Sequence, residues 1–178
     1  MGQLSRRRRL LWAAIARPLF FCVFWQFVIC GFEIQAQVPT PEYVSKAKFL
    51  ATISDYVKWP GTGGSPITVG IIGEDAFDGA LDNLSVKRSK RIEDLKDCQI
   101  IFIAKSERGN VSAILASLEG TNILTVGESE GFAKQGGVIG LVMEGDKVRS
   151  EINTSAARRA GLGIDLRLLK IAAHVFSS

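Results

Sequence analysis

The sequence predicts an α/β fold: a mainly parallel sheet flanked by helices, with a C-terminal antiparallel hairpin and two terminal helices. Three observations carry this. The runs at 67–72, 99–103 and 123–126 are nearly continuous in apolar residues, which suits strands buried on both faces. Helical stretches at 76–84 and 111–118 fall between them, and such alternation gives parallel strands joined by right-handed crossovers. The last third changes character, because 138–143 and 147–152 flank Glu144-Gly145-Asp146 and read as a hairpin around a Gly-Asp turn.

The chain has 178 residues, enough for one ordinary domain with its own core and too few for two. Lys plus Arg is 22 and Asp plus Glu is 18, but Arg6 to Arg9, Arg17 and a single acid, Glu33, lie in the first 36 positions. Beyond them, 17 bases face 17 acids. The net charge of +4 therefore belongs to the leader, and a nucleic-acid partner is not expected.

Residues 1–36 carry the basic, apolar, polar layout of a secretory signal peptide. The main apolar part, 19–32 with Gln26 inside it, is shorter than the ~20 residues of a spanning helix, and cleavage is expected after Ala36. Retained whole and read through Arg17, the stretch 10–32 is long enough to serve as an uncleaved anchor, the alternative reading. Either way residues 37–178 form a single exported domain, and the expected address is the periplasm. Cys22 and Cys30 lie in the leader, so the exported part keeps only Cys98. A lone cysteine makes no internal disulfide, and its Ile-rich surroundings read as those of a buried thiol.

In chain order, the first element is an amphipathic helix over 42–58, with Val44, Ala47, Leu50, Ile53 and Tyr56 or Val57 at helical spacing and Trp59-Pro60-Gly61 ending it. Residues 61–65 form a loop, too irregular to cradle a phosphate. The segment 86–97, with Lys87, Arg88, Lys90 and Arg91, reads either as a charged edge strand or as a loop. After the hairpin, Asn153-Thr154-Ser155 supplies helix caps and 156–160 begins a helix interrupted at Gly161-Leu162-Gly163. Asp165 caps a final helix on which Leu166, Leu169, Ala172 or Ala173, and Phe176 share a face.

The catalytic inventory is thin. His174 is the only histidine, so neither a triad nor a two-histidine zinc site can be assembled. Ser45-Lys46-Ala47-Lys48 fits S-x-x-K, but the K-T-G strand that goes with it is missing. The acid pairs Glu74 with Asp75 and Glu128 with Glu130 could do acid and base work in principle, yet read as solvated or capping groups. Glu74, Asp75 and Asp78 do not continue into a calcium loop. No catalytic, cofactor or metal residue is assigned.

The ordered set of motifs resembles the YfiR-type periplasmic regulators. It comprises Lys46-Ala47-Lys48-Phe49-Leu50 leading to Tyr56-Val57-Lys58-Trp59-Pro60, the strand from Ile67 to Gly73, and the run from Cys98 to Glu107. It continues with Ile123 to Gly127 and Gly131-Phe132, the entry Gly136-Gly137-Val138-Ile139, Glu151-Ile152-Asn153 with Ala156-Ala157, and Gly161-Leu162 with Leu168-Leu169. The resemblance implies a non-enzymatic, cofactor-free repressor that binds the periplasmic sensor region of an inner-membrane diguanylate cyclase and so controls cyclic-di-GMP signalling. It also implies release by a further periplasmic or outer-membrane protein, and a tendency to form a homodimer. Better-known members carry disulfides, whereas here Cys98 stands alone, and the region 86–93 matches poorly.

A partner-binding face needs apolar or aromatic anchors with a charged rim. The candidates are Trp59, Phe132, Arg149, Glu151, Arg158 and Arg159. The alternative reading is a small-ligand-sensing or adaptor module for another membrane signalling or transport protein, for which a pocket near Gly73-Glu74 and Lys105-Ser106, at the carboxyl ends of the parallel strands, would speak.

Overall fold

A computed structural model of the protein describes residues 40–61 and 66–177, and residues 37–178 group into one compact unit. The leader assigned to residues 1–36 lies outside the described residues. Helix α1 (Pro41–Ile53) starts on a proline, whose fixed φ suits the first helical turn. It passes into a 3-10 turn at Ser54–Tyr56 and then strand β1 (Val57–Lys58). The helix is thus shorter than the periodicity predicts. Val57 and Lys58 leave it because they pair antiparallel with β8 (Gly163–Ile164) in a small ribbon.

The main sheet contains β2 (Thr68–Ile72), β3 (Ser85–Ser89), β4 (Ile100–Ile103), β5 (Leu124–Gly127), β6 (Ile139–Glu144), β7 (Lys147–Asn153) and β9 (His174–Phe176). Their order across it is β3-β2-β4-β5-β6-β7-β9. From β3 to β6 the strands run parallel. β6 and β7 form the antiparallel hairpin, with Gly145 at φ 59° in its turn, as the Gly-Asp pair predicts. Segment 86–97 resolves into the edge strand β3 and a 3-10 turn at Ile92–Leu95. Exposed Lys87 and Arg88 on β3 discourage a further strand from pairing there.

Two expected helices are corrected. Residues 76–84 form successive turns, because Asp78 and Gly79 both adopt positive φ (42° and 82°), where a right-handed helix cannot continue. The last helix, α4 (Leu166–Ile171), is capped by the Asp165 side chain, which accepts from Arg167 N, but it ends early. Ala172 is extended, Ala173 N donates to Ser150 O at 2.8 Å, and 174–176 become β9, parallel to β7. Leu168 faces the core while Leu166 is exposed, so the buried face is rotated from the predicted one. The expected helices at 111–118 and 156–160 form as α2 (Val111–Ser117) and α3 (Thr154–Arg159).

Alternation along the strands splits the core into two layers. On one side Val69, Ile71, Ile100, Phe102, Leu124 and Val126 pack with α1 and with Phe77 and Leu81 of the turn segment. On the other, Ile72, Ile101 and Ile103 meet Ile92, Leu95, Cys98, α2 and Phe132. Each fully buried side chain of this size contributes about 1.5–3 kcal/mol. Edge-to-face contacts from Tyr43 to Phe77 (5.3 Å) and from Phe77 to Phe102 (4.9 Å) lock α1 over the sheet. That fixes Tyr43 at the carboxyl end of the strands.

Candidate functional site

The chain leaves β2 toward β3 on one side and returns to β4 on the other, so the loops after β2 and β4 diverge. Such a switch point opens a crevice at the carboxyl ends of the strands. Here it measures about 460 Å³ and is lined by Tyr43, Glu74, Lys105, Ser106, Arg108 and Glu128 among others, where the sequence pointed for a ligand-binding reading. Gly73 makes the tight exit from β2, with φ 97°, and a Cβ there would meet Ser106 Oγ at 2.5 Å. That close approach lets Glu74 N donate to Ser106 Oγ at 2.9 Å.

The floor is an ion pair. Lys46 and Glu128 have side chains only 4% exposed and bond directly, and Glu42 also pairs with Lys46 from one helical turn earlier. Glu128 further accepts from Lys105 N at 2.8 Å and from the Tyr43 hydroxyl at 3.1 Å. Burial, then the adjacent Glu128 charge and the hydrogen bond to it, push the Tyr43 phenol above its ordinary range, so it remains a donor at any physiological pH. The sequence reading missed this cluster, because Lys46 and Glu128 are 82 positions apart. One signal was available: Lys46 lies on the helix face of Tyr43, Ala47 and Leu50, where an unpaired charge would be costly.

The S-x-x-K pattern comes apart in the same place. Ser45 Oγ donates to Pro41 O at 2.9 Å, Lys46 turns inward to its carboxylates, and Lys48 is exposed. The acid pairs separate too, with Asp75 bonded to Arg88 and to Phe77 N while Glu128 is buried against Lys46. Cys98 is buried, and burial followed by the neighbouring Asp97 charge raises its thiol pKa. That keeps it in the unreactive thiol form.

The six partner-face candidates do not form one patch. Phe132 is a correction: it is 0% exposed and wedged between Gly127 and Gly137, where added Cβ atoms would meet its ring at 2.4 and 2.0 Å. Those glycines make the space for a core side chain, so the ring is closed to a partner. Glu151 is likewise buried, at 9% exposure on β7, and is no rim charge. Arg149 is exposed and bonds Glu144 across the hairpin at 3.0 Å. Trp59 is half-buried against the core, and its Nε1 has no hydrogen-bond partner among the described residues. Arg158 and Arg159 are exposed in the last turn of α3. Pro60, next to Trp59, reaches the chain just past this helix, lying 3.8 Å from a Cβ built at Gly161.

Comparison with known proteins follows the fold. The YfiR/HmsC-like family matches residues 43–173, from the first turns of α1 to the start of β9. The chain belongs to the YfiR/HmsC-like family. Members are periplasmic regulators, generally non-catalytic, that work through a protein partner. No curated protein matches the sequence. Among solved structures, the fold is similar to an ABC domain from Streptococcus pneumonia in complex with L-Trp (TM-score 0.55, 12% identity, 76% of this chain). A conserved domain protein from Vibrio cholerae is similar too (TM-score 0.56, 10% identity, 75% of this chain). This YfiR-like chain spans 60% of each, and at such identities the likeness is one of fold. Among the described residues no helix is long and apolar enough to cross a membrane.

Proposed function

We propose that this YfiR-like protein is a non-enzymatic regulator, exported to the periplasm by residues 1–36, that binds the sensor region of an inner-membrane diguanylate cyclase and holds it inactive. The observation that carries the reading is the family match over residues 43–173, which runs through every strand of the sheet except β9. The partner face is the surface where Trp59-Pro60 meets the end of α3, with Arg158 and Arg159 as its charged rim. An aromatic anchor beside exposed arginines is the composition of an energetically productive interface. Repression follows if this face binds the inactive geometry of the sensor more tightly than the active one, because a ligand shifts an equilibrium only by that difference.

The test is cellular cyclic-di-GMP in the native host with the gene, without it, and with residues 37–178 supplied behind a known export signal. Deletion raises the nucleotide and the exported form restores it. An unchanged level on deletion overturns the repressor role.

A further inference from the structure

A cavity of about 550 Å³ opens between α2 and α3, where the chain enters β5 and β6, at the opposite end of these strands from the switch-point crevice. Its volume is within the range of small-molecule sites. Leu115, Leu118, Ile123, Val138 and Ala156 make its wall; Leu115 is half-buried and the other four are no more than 6% exposed. The chain does not fill this space itself. Gly120 and Gly136 border it at φ 73° and 105°, where a side chain is strained, and a Cβ at Gly120 would meet nothing within 4 Å. Two polar groups interrupt the aliphatic wall. Thr125, 5% exposed, accepts from Val138 N at 3.0 Å, and its own hydroxyl proton goes to no acceptor among the described residues. Arg159 is exposed and, among the described residues, bonds to no acid. Asn122 Nδ2 donates to Ala160 O at 2.9 Å, which ties the end of α3 to the entry of β5 and sets Arg159 beside the strand that carries Thr125.

We infer that this cavity binds a medium-chain aliphatic monocarboxylate, its chain against the Leu, Ile and Val side chains and its carboxylate held by Arg159, with Thr125 as the second donor. Both polar groups donate, so they serve an anion and offer nothing to an ammonium. Arg can grip a carboxylate with two parallel N–H donors. Glu119, exposed on the lip beyond α2, repels the same carboxylate and so turns it toward α3. Among the described residues the lining holds no aromatic side chain on which a ring could stack, whereas a flexible chain follows aliphatic contacts wherever they lie. Arg159 also stands on the rim of the proposed partner face, but binding here rests on the cavity alone. The measurement below uses neither the partner nor cyclic-di-GMP, so the failure of one reading leaves the other standing.

The test is calorimetric titration of the full chain with octanoate and decanoate below their micellar concentrations, and with octan-1-ol and octylammonium as chain-matched probes. Decanoate saturates the protein one to one with Kd at or below about 1 mM, and the two extra carbons bind it about tenfold tighter than octanoate. Octan-1-ol and octylammonium bind about tenfold or more weakly than octanoate. Arg159→Gln weakens octanoate about tenfold and leaves octan-1-ol unchanged, a split that loss of structure would not produce. Ala116→Trp, at an exposed position of α2 on the cavity lining, abolishes binding of both acids. Ala113→Trp, exposed on the same helix and off the lining, leaves it unchanged, and circular-dichroism melting confirms that each variant is folded. No saturation by either acid overturns the inference. Equal binding of octan-1-ol or octylammonium overturns the carboxylate, and full affinity in both Arg159→Gln and Ala116→Trp overturns the site.

Discussion

Lys46 is a cation enclosed by the fold, and the consequence of enclosing it can be measured. With its side chain 4% exposed and bonded to Glu42 and Glu128, it neutralises a carboxylate that is equally buried. Removing one partner of such a pair leaves the other uncompensated, at a cost of about 3–5 kcal/mol. Lys46→Met should therefore lower stability by about 3 kcal/mol in urea titration, with Tyr43 and Lys105 N still holding Glu128. Lys46→Met with Glu128→Leu should recover part of that loss, and a double variant no better than the single one would show that the two groups are uncoupled. At this scale the sequence is partly legible. The buried thiol of Cys98 follows from its apolar neighbours, but Glu128 resembles any solvated acid until β5 delivers it beside α1. Phe132 misleads in the opposite sense: a Gly-flanked aromatic looks like a surface anchor, and the glycines prove to be the room its ring occupies in the core.

The elements show which local signals prevail. Asn153 caps α3 by accepting from Ala156 N at 2.8 Å, and its amide donates to Ala133 O at 2.8 Å, so one buried side chain joins β7, α3 and the loop before β6. Asn153→Ala loses a cap of about 1 kcal/mol and one of the two donors to Ala133 O, which keeps Gly136 N at 3.3 Å, a further loss of about 0.5–1.5 kcal/mol and a total of about 1.5–2.5 kcal/mol in thermal or urea unfolding. Asn153→Asp keeps the cap and loses the donor, so it should fall between wild type and Asn153→Ala. The cap on α4 is only half-buried and titrates instead. The Arg167 side chain, and then its backbone N–H, hold the Asp165 carboxyl below the usual range. Its contribution is present above the unfolded carboxylate pKa and disappears as pH falls through the lower folded value. The melting difference between wild type and Asp165→Ala should thus be constant near pH 7 and shrink below about pH 4; a difference that grows on acidification would contradict the pairing. Both caps are readable from sequence because they act within three residues. The false helix at 76–84 was readable too, since Asp78-Gly79 is a turn signal that outweighed the apolar spacing of Phe77, Leu81 and Leu84. The end of α4 was not, because the competing partner is the distant strand β7.

At the scale of the whole molecule, the parallel order from β3 to β6 follows from apolar runs separated by crossovers, and the resulting switch point sets the crevice. The partner face is less legible: β1 has only two residues, and its pairing with β8 carries Trp59-Pro60 to the end of α3 across more than 100 positions of sequence. Moving a two-state sensor from 1:99 to 99:1 requires a preference of about 10⁴-fold for one state, more than one rim contact supplies, so aromatic anchor and charged rim must act together. Trp59 is a poor single probe, because its ring also packs on the core and its loss destabilises the fold. Arg158 and Arg159 are the cleaner one. Both are exposed, and among the described residues Arg158 bonds only Ser155, at 3.0 Å. Reversing both charges at the carboxyl end of α3 costs about 0.3–1 kcal/mol each through the helix dipole, so the protein stays folded, as melting would verify. The Arg158→Glu/Arg159→Glu protein, exported at wild-type level, should leave cyclic-di-GMP as high as deletion does. Repression equal to wild type would remove this surface from the interface and direct the search to exposed Arg149 on the hairpin.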